Sequence, residues 1–216
     1  MSGLNSGKGH CPGTARLLIR PTRSAEELGA GPDVLLAALN AVHHLNRHAA
    51  PDDFIAVALP GMREGREGLL PGHEAELIGS REALGRLLTI EGVQLLFRRR
   101  MIGPALIGDI ALESGVIGAA YVRDRTCEKS STGWKRRREA RAERRGFDPK
   151  PGPKRRGPAP QSALLPLNGA PLRVRELIGT VSDEPLIVST YGFSTTGSPT
   201  ILPVRPALME EERDAA

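Results

Sequence analysis

Three histidines stand close together in VHHLNRH, at positions 43, 44 and 48. An unperturbed imidazole titrates near pH 6.5, so at neutral pH it is the natural acceptor for a hydroxyl proton. Counted at 100° per residue against the apolar repeat Leu35, Ala38, Leu39, Val42 and Leu45, His44 lies about 160° from the centre of the apolar face and His43 about 100°. His44 is therefore free to meet a ligand, although a solvated histidine would be placed the same way. The i,i+4 spacing of His44 and His48 suggests a metal cluster, but no acidic or cysteine ligand adjoins it, and no metal is expected. Tyr191, in LIVSTYGFS, reads either as a packed strand residue or as a hydroxyl that orients a ribose or the histidine. Ser194, Thr195, Thr196 and Ser198, with Gly192 and Gly197, form a polar loop that can approach phosphate or make an ordinary turn. Arg20 and Arg23 are either surface residues or charge for a phosphate. The chain contains no GxSxG, no phosphate loop ending in GK[ST] and no HExxH.

A second chemical signal lies in WKRRREARAERRG. From Trp134 to Arg156 there are eleven Lys and Arg against three acids, a local +8 that leaves −3 for the remainder of a +5 chain. A concentrated basic segment in an otherwise almost neutral protein is the footprint of a polyanion partner. On a helical wheel Arg137, Arg138, Arg141, Arg144 and Arg145 share an arc of about 120°, while Glu139 and Glu143 take the opposite face. Like charges so placed repel, and an anionic ligand turns that repulsion into attraction. A solvated helix would mix the signs, and a membrane-surface helix would place Leu or Phe opposite the arginines. A nuclear-import tract fits the composition alone. The nucleic-acid reading is preferred. The groove of A-form RNA opens near a helix end or loop, so a short hairpin can admit such a helix. Arg123 and Arg125, alternating in YVRDRTCEKS, are candidates for reading bases beside it.

The elements that must position these residues point to an α+β protein. ARLLIR (15–20), FIAVAL (54–59) and HEAELIGS (73–80) read as strands. VLLAALNAVHHLNRH reads as a helix, as does REALGRLLTIEG behind the capping Ser80. Either PALIGDIAL or GVIGAAYVRDR supplies a further strand. This order is the ferredoxin-like (RRM-like) split βαβ, a fold many RNA-binding modules use. The expected organisation is a mobile Gly/Ser-rich start over 1–14, a ferredoxin-like domain over 15–115, and a C-terminal domain over 116–205. The C-terminal domain holds the basic helix 134–146, a Pro-rich basic linker 147–161 and short antiparallel strands; 206–216 is an acidic tail. With 39% hydrophobic but only 3% aromatic residues, the core must be mostly aliphatic. Cys11 and Cys127 are too far apart in sequence to suggest a disulfide framework or zinc site. No apolar run approaches the ~20 residues that span a bilayer, and the opening MSGLNSGKGHCPGTAR lacks the apolar core of a signal peptide. A cytoplasmic protein is expected.

RLLIRP, a first helix ending in histidine, IAVALP, a basic helix after VRDRTCEKSS and a strand-rich tail holding YGFS occur in this order. Together they resemble the CRISPR-associated endoribonucleases of the Csy type, over roughly residues 15–205. That family cuts the repeat hairpin of precursor CRISPR RNA in type I-F systems, with relatives in type IV systems and RNA-guided transposons. The resemblance implies an arginine helix docked in the hairpin's major groove and a preceding segment that reads the foot of the stem. It also implies cleavage on the 3′ side of the stem base, without metal or cofactor, leaving a 2′,3′-cyclic phosphate. The enzyme would stay on its product within a surveillance complex of other CRISPR-associated subunits. His44, eleven residues before Ile55, matches the spacing of the family histidine, with His43 one register away. Tyr191 matches the family tyrosine. Where the family carries a serine-containing hairpin this chain has LPLNGAPLRVRE, with Asn168 and no hydroxyl, and Leu172 stands where an aromatic would stack on the terminal base pair. A non-catalytic hairpin-capping subunit and a ribosome-associated or RNA-chaperone protein are the alternatives.

Overall fold

The computed structural model describes residues 7–66, 68–110, 114–124, 132–146, 162–167, 172–195, 197 and 199–203. Strand β1 (Lys8–Cys11) is followed by β2 (Ala15–Ile19), which buries Ala15, Leu17 and Ile19 on one face by the period-2 rule. Thr22 caps a short α1 (Arg23–Glu27) by accepting from the Ala25 amide. Helix α2 (Gly31–His48) starts with Pro32 in its first turn and buries Val34, Leu35, Ala38, Leu39, Ala41 and Val42. The expected apolar stripe is thus the observed contact face.

Strands β3 (Ala56–Ala58) and β6 (Ala75–Gly79) flank the small hairpin of β4 (Arg63–Gly65) and β5 (Gly68–Leu70). Ser80 caps α3 (Arg81–Leu88), its Oγ accepting from the Ala83 amide at 3.0 Å. The expected single helix over REALGRLLTIEG is in fact interrupted. Ile90 takes an extended conformation and opens a second helix, α4 (Glu91–Arg98). The adjacent β-branched Thr89 and Ile90 are poor helix formers, and the Thr89 hydroxyl bonds the Arg86 carbonyl at 2.7 Å, which stabilises the stop. β7 (Ile107–Asp109) completes a four-stranded antiparallel sheet in the order β3-β6-β2-β7.

Both candidates for the further strand are strands, in different sheets. β8 (Ile117–Arg123) pairs with β10 (Leu172–Thr180) and β12 (Leu202–Pro203), and β9 (Ala163–Leu165) pairs with β10, giving the antiparallel order β12-β8-β10-β9. Helix α5 (Thr132–Arg144) lies between β8 and β9 in the chain. The proline-rich linker 147–161 and the tail 206–216 fall outside the described residues.

The break between the sheets falls between β7 and β8, yet one hydrophobic cluster runs from Leu17, Leu39 and Leu77 to Tyr121, Val174 and Phe193. Within the segment 1–14, expected to be mobile, Lys8–Cys11 contributes to this continuity, while residues 1–6 lie outside the described residues. β1 pairs antiparallel with β11 (Leu186–Ser189). Gly9 permits it, because a Cβ there would sit 2.5 Å from the buried Phe54 ring. Cys11 is a core residue: its thiol donates to the Ile78 carbonyl at 3.2 Å, and burial pushes its pKa up to about 11. Among the described residues no helix is long and apolar enough to cross a membrane.

Candidate functional site

The last turns of α2 are tied to β3 by a side chain absent from the sequence expectation. Asn46 is fully buried; its Nδ2 donates to the Ile55 carbonyl at 2.9 Å and its Oδ1 accepts from the Ile55 amide at 2.8 Å. β3 in turn holds the segment after β11, the Val57 amide donating to the Gly192 carbonyl at 2.9 Å. That segment is a tight turn. The Gly192 amide donates to Ser189 O at 2.8 Å, and the Ser189 amide donates to Phe193 O at 2.9 Å. The Ser189 hydroxyl donates to the same Phe193 carbonyl, and the Phe193 ring is buried. Gly192 has φ +79°, and a Cβ on it would lie 2.5 Å from Val57 Cγ2, so the turn accepts no side chain there without strain.

This clamp delivers Tyr191 to the end of α2. Its ring stacks on His43 with centroids 3.9 Å apart and planes within 4°. The guanidinium carbon of Arg123, from the last residue of β8, lies over the Tyr191 ring 5.5 Å from its centroid. The end of β8 is itself held to the Tyr191 segment, since the Ser194 amide donates to Tyr121 O at 2.9 Å. Stacking and cation–π contacts of this kind contribute about 1 kcal/mol each beyond buried area.

The state of the His43 ring follows from its neighbours. Nδ1 lies 3.3 Å from the Thr190 carbonyl, which can only accept. Nδ1 therefore carries the proton, and Nε2 of the neutral ring keeps its lone pair. Burial is the largest influence on the ring and lowers its pKa from the ordinary value; the Thr190 carbonyl opposes this, while Arg47, Arg123 and His44 add to it. His43 is accordingly neutral at pH 7. A neutral imidazole with Nδ1 held as a donor keeps Nε2 as a proton acceptor, with an aromatic ring stacked on it.

Of the residues expected from sequence, the structure brings Tyr191 and Arg123 together, and their partner is His43. His44 is exposed and sits against His48, with ring centroids 4.9 Å apart. Tyr191 therefore stacks on His43 and not on His44, the neighbouring register, which on a helix is a rotation of about 100°. Ser194 is buried, its hydroxyl donating to Thr200 O at 3.2 Å and accepting from the Thr200 amide at 3.0 Å. It is a structural residue of the turn. Leu172 is buried on β10 and packs in the core, so it offers no surface for stacking on a base. Arg23 pairs with Glu27 at 2.9 Å on α1, and Arg20 is exposed. Arg125, Asn168, Thr196 and Ser198 lie outside the described residues. Arg47 was missed, though its place one turn beyond His43 was a usable signal. Asn46 and Gly192 had none, because their roles depend on strands distant in sequence.

Helix α5 buries none of its described side chains. Arg137, Arg141, Arg144 and Arg145 are exposed, Arg138 is partly covered, and Glu139 and Glu143 are exposed. The helix ends where Gly146, at φ +64°, donates to Glu143 O at 3.1 Å. No group of three His, Cys, Asp or Glu side chains that could hold a metal occurs among the described residues. Comparison with protein-family models and with curated proteins finds no match to this chain.

Proposed function

We propose that this chain is a CRISPR RNA-processing endoribonuclease with His43 as its general base. The observation that carries the reading is the stacked His43–Tyr191 pair, with Nδ1–H engaged by the Thr190 carbonyl and Nε2 left as acceptor. In the reaction the proton of a ribose 2′-hydroxyl passes to His43 as the 2′-oxygen bonds the adjacent phosphorus. The bond to the 5′-oxygen breaks, leaving a 2′,3′-cyclic phosphate and a 5′-hydroxyl. Tyr191 holds the imidazole plane and offers its hydroxyl to the ribose. The exposed arginine face of α5 binds the repeat stem-loop and retains the product hairpin, with other CRISPR-associated subunits assembling around it in the cytoplasm. Arg137, Arg138, Arg141, Arg144 and Arg145 clamp phosphates, and Arg125, in the segment before the helix, is assigned to the bases at the foot of the stem.

The N-terminal half is read as ferredoxin-like. Support comes from the strand order β3-β6-β2-β7 with α2 and α3 in the two crossover connections.

The test is incubation with 5′-labelled repeat RNA in EDTA. The expected result is one cut at the 3′ base of the stem, lost in His43→Ala and retained in His44→Ala. Loss in His44→Ala with retention in His43→Ala refutes the assignment of the base. Tight hairpin binding without cutting refutes the enzyme and supports a capping subunit. Equal binding to unrelated RNAs supports a general RNA-binding protein.

A further inference from the structure

The sequence presents Arg123 as a reader of bases at the foot of the stem, but its position in the fold argues for another task. It ends β8 with its guanidinium over Tyr191, the ring stacked on the candidate base. Its charge is felt at His43, as is that of Arg47 from the next turn of α2. Either guanidinium disfavours a proton on His43. Cleavage of a phosphodiester by its own 2′-hydroxyl develops negative charge on the non-bridging oxygens, and fixed cations aimed there stabilise the transition state more than the ground state.

We propose that Arg123 is a catalytic residue that binds a non-bridging oxygen of the scissile phosphate, seated on Tyr191 so that its charge is held beside the phosphorus as the 2′-oxygen attacks. This rests on the endoribonuclease reading above. The 2′-hydroxyl proton goes to His43, the new bond forms from the 2′-oxygen to phosphorus, and the departing 5′-oxygen takes a proton from water. Arg123 exchanges no proton.

The experiment uses the full chain and 5′-labelled repeat RNA, with single-turnover rates at saturating protein and Kd taken from the same titration. Arg123→Ala is expected to slow the saturated rate about 100- to 1000-fold while Kd changes by less than about threefold. Arg123→Lys, which keeps the charge and the aliphatic stem, recovers part of that loss. Sulfur in place of a non-bridging oxygen at the cut site slows the wild type more than Arg123→Ala. A saturated rate unchanged in Arg123→Ala, with or without a weaker Kd, overturns the proposal and leaves Arg123 a binding residue. A lysine variant no faster than the alanine one also overturns it. A wild-type protein that cuts nothing overturns the endoribonuclease reading, and this role with it.

Discussion

Replacing Gly192 by alanine tests whether the turn after β11 is what places Tyr191 on His43. The new methyl would enter a space bounded by Val57 Cγ2 at 2.5 Å, the Ile55 carbonyl oxygen at 3.0 Å and Val42 Cγ1 at 3.2 Å. None of these can yield without moving β3 or α2. A left-handed φ costs a residue with a Cβ about 1 kcal/mol, and forcing a methyl into a packed interior costs about 1–3 kcal/mol more. The sum is roughly 2–4 kcal/mol, which for a chain of this size lowers the melting temperature by about 5–15 °C. Gly197 is the internal control, since nothing lies within 4 Å of its position and its φ is ordinary. Gly197→Ala should therefore leave stability within about 0.5 kcal/mol of wild type. Urea unfolding gives the free energies, and the ring-proton shifts of His43 report its stack on Tyr191, which should loosen in Gly192→Ala and persist in Gly197→Ala. A Gly192→Ala protein as stable as wild type, with His43 shifts unchanged, would refute the clamp and the placement of Tyr191 derived from it.

Removing the Asn46 clamp by Asn46→Ala leaves the buried amide and carbonyl of Ile55 without their side-chain partner, and urea unfolding should show a loss of about 3 kcal/mol. Lowered by burial and by Arg47, the His43 pKa should sit below 6.5 in an NMR titration. Arg47→Ala should raise it. The sign for folding follows: above pH 6.5 both states carry a neutral ring, whereas below it the unfolded chain binds the proton first, so stability should fall as pH drops through 6.5 towards the His43 pKa. A His43 pKa at or above 6.5 would contradict this. Replacing Arg137, Arg141 and Arg144 together with alanine should reduce the slope of log K against log salt for hairpin binding by about 2–3 units. An unchanged slope would mean that α5 touches no phosphate.

The elements were largely legible in the chain because they rest on local periodicity. The α2 stripe, Ser80 as a cap and the alternation in β2 each follow from residues within a few positions of one another. The sorting of arginines and glutamates on α5 is equally local, and it stands out along the chain because this helix has no apolar stripe. The interruption at Thr89–Ile90 was not legible, since the apolar spacing runs on across it. β1 was masked by glycines that make Lys8–Cys11 look like a tail, although Gly9 serves close packing against Phe54.

The candidate site divides along the same line. Sequence alone determined which side chains were chemically able: a histidine near the end of α2, a tyrosine in YGFS and arginines in YVRDR. It did not decide between His43 and His44, because both lie off the apolar face and the choice is a rotation that only a neighbour can register. That neighbour comes from residues 189–193, nearly 150 positions away, brought in by Asn46 on Ile55 and by Val57 on Gly192. Residue type and spacing belong to the chain; the tautomer of His43, its lowered pKa and the seat of Arg123 on Tyr191 belong to packing. Each of them is an interaction between groups that share no local segment, so only the tertiary structure could decide them.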